Sequence, residues 1–314
     1  MTTRLWIWSL GLMLCLLWIA PTAQANPGDL FVAQSLYNAG NDIIRIGPDG
    51  SQSVFGTVTG SVYGLTFDPA GNMFASASYG GQGTIYRFTP DGTRSIFASG
   101  AFTTGGIAFD ASGNLFLADE AHSRILRFNS EGAMSVFSDQ SQNPLGIAFN
   151  SSGNLFVCSI GTNSLDEYTP GGAHQYFALG LRFPWGLVID QNDTIFVTTY
   201  EVRDNVPFAS IVKIFTDGTR SVLFEMEGGF NGLTMDDAGN LYASEGYTNS
   251  IIRITPDGQG SVFASGLIEP VALAFARGIP EPSVSALILC VAAIFVARPA
   301  AVRFRKAPRM RRVG

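Results

Sequence analysis

The chain is short of cysteine, of histidine and of charge. Its three cysteines are Cys15, Cys158 and Cys290, and the first and last lie in apolar stretches near the two ends. A single thiol in the body of the chain excludes an internal disulfide framework and a cysteine-based zinc site. Two histidines, His122 and His174, are too few for a histidine-rich metal centre. Charged residues make up only 14% of the 314. Segment 26–297 holds 11 of the 19 basic residues and all 25 acidic ones, a net charge of −14. Phosphate binding needs a basic face, so no nucleic-acid partner is expected.

What the chain has in quantity is glycine (36), phenylalanine (24) and repetition. Residues 105–119, GGIAFDASGNLFLAD, contain two runs alternating apolar and small side chains around a turn, the pattern of two short antiparallel strands. Close copies stand at 63–77, 145–159, 185–199 and 231–245, with half copies at 29–34 and 271–275. The second run of each copy begins at Leu30, Met73, Leu115, Leu155, Ile195 and Leu241, spaced by 43, 42, 40, 40 and 46 residues. A period near forty with about four strands in each predicts a propeller. The strands are termed A to D by their place in the repeat. The chain opens on a B strand and its last complete strand is an A. The expected fold is therefore all-β, six blades of four antiparallel strands, with the ring closed by N-terminal strands B, C and D and a C-terminal strand A. Cys158 occupies a repeat position filled elsewhere by Ala33, Ser76, Ala118, Thr198 and Ser244, and so reads as a buried small residue rather than a nucleophile.

GIAFDASGNLFLADEAHSRILRF at 106–128 resembles an NHL repeat. Over about 30–275 the chain resembles the six-bladed propellers that include gluconolactonase, senescence-marker-type lactonases and streptogramin lyases. The NHL resemblance implies a bridge between Asp119 and Arg124, repeated by Glu245 with Arg253. The lactonase resemblance implies a calcium ion or other divalent metal at the tunnel mouth, held by an asparagine that precedes a glycine on the inner strand. Asn231-Gly232 matches that pattern, with Glu245 as the nearest acidic partner and Glu201 a further candidate ligand. The lyases rely on histidine. Here His174 begins an outer strand and His122 sits with Asp119, Glu120 and Arg124 in a loop, where a polar network is expected.

Turns divide the molecule into two faces. The A to B and C to D turns are short and nearly uniform; their aspartates lack the spaced oxygen ligands of a calcium loop. The B to C and D to A connections are long and dissimilar, and variation of that kind concentrates where ligands bind. The longest, at 200–210, reads as a lid or contact loop. This face gathers Glu201, Asp204, Glu225, Glu227, Glu245 and Glu269, together with Tyr63, Tyr79, Trp185, Tyr200 and Tyr247. Aromatics with few cations around them suit a sugar or an apolar ligand better than an anion. The candidate ligand face is thus Tyr63, Trp185, Tyr200, Tyr247 and Asp119.

The two ends carry targeting signals. Residues 1–25 have an early arginine, an apolar run and Ala23-Gln24-Ala25, the layout of a secretory signal peptide. After the propeller segment 26–277, residues 278–314 show Pro280-Glu281-Pro282 within 279–283, an apolar membrane segment over about 284–302 and a basic tail over 303–314. This order resembles a PEP-CTERM sorting signal, which implies an exosortase-type processing enzyme, export through the inner membrane of a Gram-negative bacterium, transient anchoring and a cell-surface or extracellular destination. The function expected is a binding or interaction module for extracellular polysaccharide or envelope proteins. The alternative is a metal-dependent hydrolase of the lactonase type, which requires three or four oxygen ligands converging at the tunnel mouth.

Overall fold

The computed structural model describes residues 25–35 and 41–276. These form six four-stranded antiparallel sheets, as the repeat predicts. Blade one joins β24 (Pro270–Phe275) to β1 (Leu30–Gln34), β2 (Asn41–Ile46) and β3 (Gln52–Val58). Blade two is β4 (Ser61–Phe67), β5 (Met73–Tyr79), β6 (Gln82–Phe88) and β7 (Arg94–Gly100). Blade three is β8 (Ile107–Phe109), β9 (Leu115–Asp119), β10 (Arg124–Phe128) and β11 (Met134–Ser138). Blade four is β12 (Pro144–Phe149), β13 (Leu155–Ser159), β14 (Ser164–Tyr168) and β15 (His174–Leu179). Blade five is β16 (Leu187–Ile189), β17 (Ile195–Arg203), β18 (Val206–Ile214) and β19 (Arg220–Glu227). Blade six is β20 (Phe230–Met235), β21 (Leu241–Glu245), β22 (Ser250–Ile254) and β23 (Gly260–Ala264).

The ring closes where expected: β1 pairs antiparallel with β24, Leu30 facing Phe275 and Val32 facing Leu273. Pairing the first strand with the last removes two open sheet edges at once. Among the described residues no helix is long and apolar enough to cross a membrane. The expected signal peptide, the Pro280-Glu281-Pro282 motif and the apolar segment after it lie outside the described residues.

The abundance of phenylalanine is explained by packing between blades. The second residue of each B strand is Phe31, Phe74, Phe116, Phe156, Phe196 or Tyr242, all buried. Phe74 meets Phe97 and Phe109 edge to face at 5.1 and 5.0 Å, and Phe116 meets Phe137 and Phe149 in the same way. Each cluster joins two blades; Phe74 and Ile85 of blade two pack with Ile107, Leu117 and Phe128 of blade three. A buried phenylalanine contributes roughly 1.5–3 kcal/mol by transfer from water, so this inter-blade belt is the main source of stability.

Closer to the axis the inner strands approach too tightly for a side chain. A Cβ at Gly146 would stand 2.2 Å from the Trp185 carbonyl oxygen, and one at Gly232 would stand 2.2 Å from that of Val271. Across the same seam, small residues of the B strands bind the next blade. Ser76 Oγ donates to the Gly105 carbonyl at 2.8 Å and Ser244 Oγ to that of Val271 at 2.8 Å. Cys158 fills the equivalent place in blade four, fully buried, and burial pushes its thiol well up, which suits packing and not nucleophilic attack.

Candidate functional site

The central tunnel is lined by successive residues of the six inner strands. Gly64, Gly106, Gly146, Gly186, Gly232 and Ala272 form a narrow ring, and Leu65, Ile107, Ile147, Leu187, Leu233 and Leu273 line the wall next to it. The empty space along it, open solvent at the mouth included, is about 540 Å³. Tyr63, Leu145 and Trp185 stand at the mouth on the variable face. The polar atoms here serve the seam. Carbonyls of Gly105, Leu145, Asn231 and Val271 accept from neighbouring blades, and Asn231 Nδ2 donates to the Pro270 carbonyl at 3.3 Å.

On the same face, the residue that ends a B strand catches the loop crossing in from the previous blade. Asp119, fully buried, does this in blade three. Its Oδ1 accepts from Thr103 N at 2.8 Å and Thr103 Oγ1 at 3.0 Å, with His122 Nδ1 at 2.8 Å; its Oδ2 accepts from Arg124 Nε at 2.7 Å. Burial alone would raise this carboxyl, but the donors from His122, Thr103 and Arg124 outweigh it and hold the group below the ordinary carboxylate value. The bridge to Arg124 and the network around His122 are therefore as the sequence implies. Asp119 itself is a closed structural pin, not an open ligand.

Glu245 plays the same part in blade six, also fully buried. It accepts from Gly229 N at 3.0 Å, Tyr247 N at 3.1 Å and Thr248 N at 2.6 Å, and from the Thr248 hydroxyl. Here too burial is the largest influence and raises the group, yet these donors together hold it below the usual value. The expected pairing with Arg253 is not made. The register is the reason: Ser250 stands opposite Glu245 where Arg124 stands opposite Asp119, while Arg253 lies three residues further along, opposite Tyr242, with its Nε buried and without a hydrogen-bond partner.

The stretch read as a lid or contact loop at 200–210 is ordered as a hairpin. β17 and β18 continue their ladder outward through Tyr200–Ala209, Glu201–Phe208, Val202–Pro207 and Arg203–Val206. Asp204 and Asn205 turn between them at φ 53° and 65°, the left-handed pair of a two-residue hairpin turn. The turn residues are visible in the sequence as an Asp-Asn pair; what hides the strands is Pro207 within the unalternating run Val206-Pro207-Phe208-Ala209. Arg203 stacks over the Phe208 ring at 4.8 Å and holds Glu225 in a two-pronged ion pair, at 2.9 and 2.6 Å, while also binding Glu201. Arg182 adds a second pair to Glu201 at 2.7 Å. The Arg203 guanidinium holds Glu225 below the ordinary value.

These contacts decide how the candidate ligands stand. Glu201 faces two guanidinium groups, Glu245 is enclosed in its loop, and Asn231 donates to a backbone carbonyl. Among the described residues no group of three or more His, Cys, Asp or Glu side chains is placed to hold a metal ion.

Exposed aromatics are what remains on this side. Tyr247 is 63% exposed and Phe183, which the sequence reading missed, is 58% exposed. Tyr200 links them: its hydroxyl lies 3.5 Å from that of Tyr247, and its ring meets Phe183 edge to face at 6.5 Å. Phe183 has φ 43°, a left-handed backbone followed by Pro184. Asn143-Pro144 and Glu269-Pro270 make the corresponding turns in blades four and one, at φ 49° and 42°. A large side chain in that conformation costs roughly 1–2 kcal/mol, which Asn, with its short polar side chain, tolerates far better. The clue in sequence is the X-Pro shared by the A strands of blades four, five and one.

Serine, aspartate and histidine do meet, in blade four. Asp166 is fully buried where other blades carry Ile44, Tyr86, Leu126, Val212 and Ile252. Ser159 and Ser164 hydroxyls each donate to it at 2.6 Å, and His174 Nε2 lies 3.6 Å away without a hydrogen bond. The carboxylate stands between the serines and the imidazole, so no serine is paired to a base as nucleophilic catalysis requires.

No protein-family model matches the chain, and no curated protein sequence matches it. Solved structures do. A propeller in the nidogen/laminin complex aligns with TM-score 0.66 at 19% identity, covering 79% of this chain and 98% of that one. A gluconolactonase from Xanthomonas campestris aligns at 0.61 and 16% identity, over 81% of this chain and 91% of that one. Virginiamycin B lyase from Staphylococcus aureus aligns at 0.54 and 19% identity, over 69% and 77%. Together with the blade order and the closing pair of strands, these likenesses make the chain, by fold, a six-bladed β-propeller whose structural neighbours include a gluconolactonase.

Proposed function

We propose that this protein is delivered to the cell surface and works there as a binding module through the blade five and blade six side of its variable face. The partners we envisage are extracellular polysaccharide or an envelope protein, with delivery resting on the signal peptide and on Pro280-Glu281-Pro282 and its flanking segments, read by an exosortase-type enzyme. The observation that carries the binding reading is the contrast among the candidate groups of this face: Glu201 and Glu225 are paired with arginines and Glu245 is enclosed, while Phe183 and Tyr247 stand exposed. Exposed rings grouped on a rigid surface are a common anchor for recognition.

A hydrolase of the lactonase type is the rival reading, supported by the gluconolactonase likeness in fold. It would need Glu245 to leave four donors, or Glu201 to leave two arginines, before either met a metal. The two readings separate in one experiment on the full chain. Calcium titration followed by thermal melting should leave the midpoint unchanged, and Tyr200→Ala with Tyr247→Ala should release the tagged protein from the cell surface into the medium. A calcium-dependent rise in the midpoint that Glu245→Gln abolishes, with surface retention unaffected by the tyrosine changes, would establish the hydrolase reading instead.

A further inference from the structure

Three exposed or half-exposed rings lie side by side across blades five and six, and each is fixed from below. The Tyr247 ring lies against Gly229, where an added Cβ would come within 2.8 Å of its Cε2, so one ring edge is seated on bare backbone while 63% of the residue remains open. Tyr247 N donates to the buried Glu245. Tyr200 N donates to the Arg182 carbonyl at 2.9 Å, tying the hairpin to the loop that carries Phe183. Phe183 N donates to Asn163 Oδ1 at 3.2 Å, and Pro184 fixes the next backbone angle. Rings held in this way lose little freedom when a ligand stacks on them.

The arginines beside the rings are matched: Arg182 and Arg203 pair with Glu201 and Glu225, while Asp204 and Glu227 of the same blade are exposed and without an ion pair among the described residues. A polyanion would find no unmatched arginine there to pair with. The Tyr200 and Tyr247 hydroxyls meanwhile form a polar edge 3.5 Å apart along the ring surface. Apolar ring faces, those of Phe183 and Tyr200 set at 78° to each other, with hydroxyl groups at their edge and no unmatched arginine beside them match a pyranose ring, whose C–H face is apolar and whose rim is hydroxylated. The left-handed Phe183 fits the same reading: the turn requires only the conformation that Asn143 supplies in blade four, so the ring is there for what it touches.

We infer that Phe183, Tyr200 and Tyr247 form a stacking platform for a neutral polysaccharide. This rests on the binding reading above and narrows its ligand. The test is affinity electrophoresis of the full chain through gels containing dextran, laminarin or, as the polyanion, alginate, at low and high salt. Phe183→Asn keeps the left-handed turn and removes the ring, and Tyr247→Ala removes an exposed ring; near-ultraviolet circular dichroism checks that both remain folded. Retardation by dextran or laminarin, indifferent to salt and weakened about ten-fold in each variant, is the expected result. Retardation by alginate alone that the variants lose overturns the neutral-sugar inference and leaves the binding face intact. Retardation that neither variant changes overturns both. Passage of the wild type unretarded through both neutral polymers overturns the inference, and if the variants still reduce surface retention the partner is an envelope protein.

Discussion

The two faces of the ring use the same acidic residues for different ends. On the uniform face, Asp68, Asp110 and Asp236 each fold back on their own turn; Asp110 Oδ1 accepts from Ser112 N at 2.9 Å and Asn114 N at 2.8 Å, and Oδ2 accepts from Asn114 Nδ2 at 2.8 Å. The bonds stay within one blade and span at most four residues, apart from that of the Tyr242 hydroxyl to Asp236, which spans six. On the variable face, Asp119 and Glu245 reach 16 residues back to the loop arriving from the preceding blade. A local turn and a loop anchor can thus have the same side chain and opposite structural weight. Distance along the chain, not residue type, separates them.

That comparison is open to direct measurement. The largest effect expected is from Asp119→Ala, which strips four donors of their acceptor and leaves Arg124 without its carboxylate; urea unfolding should show a loss of about 3 kcal/mol. Acid should act on the same group. Because Asp119 and Glu245 titrate below their unfolded values, the stability they give is complete above the ordinary carboxylate range near about pH 4 and disappears as pH falls through the lower folded-state values. Stability is expected to be flat from neutrality down to about pH 5 and to drop below about pH 4, with a shallower drop in Asp119→Asn. Asp110→Ala should cost only about 1 kcal/mol, since water reaches the freed donors of that exposed turn. Equal losses from Asp119→Ala and Asp110→Ala would erase the distinction between the faces. The smallest effect belongs to Arg203→Ala. Its ion pairs are solvent-exposed, so the melting midpoint should not move, while amide exchange at Val202 and Val206 should quicken as the hairpin tip loosens.

Much of the fold was legible along the chain. Alternation in the A and B strands, the uniform turns and the forty-residue period specify four strands in each blade and six blades in the ring. The Asp119–Arg124 bridge was legible too, through the resemblance of 106–128 to an NHL repeat. The hairpin of blade five was not: its returning arm, Val206-Pro207-Phe208-Ala209, lacks alternation and carries a proline, and it holds because β19 and Arg203 support it from the side. Phe183 went unnoticed because nothing in Arg182-Phe183-Pro184 says that the backbone turns left-handed there and lifts the ring into solvent.

The sequence by itself determined the repeat, the ring and the identity of its closing strands, since each follows from periodicities that neighbouring residues impose on one another. Only the tertiary structure decided which polar groups of the variable face remain open. Glu201, Asn231 and Glu245 carry the chemistry of metal ligands in any list of residues. Arg203 is a neighbour of Glu201 in the same strand, but Arg182, the Pro270 carbonyl and the Gly229 amide come from other loops or the next blade, and a contact between distant segments leaves no mark on the local sequence of either.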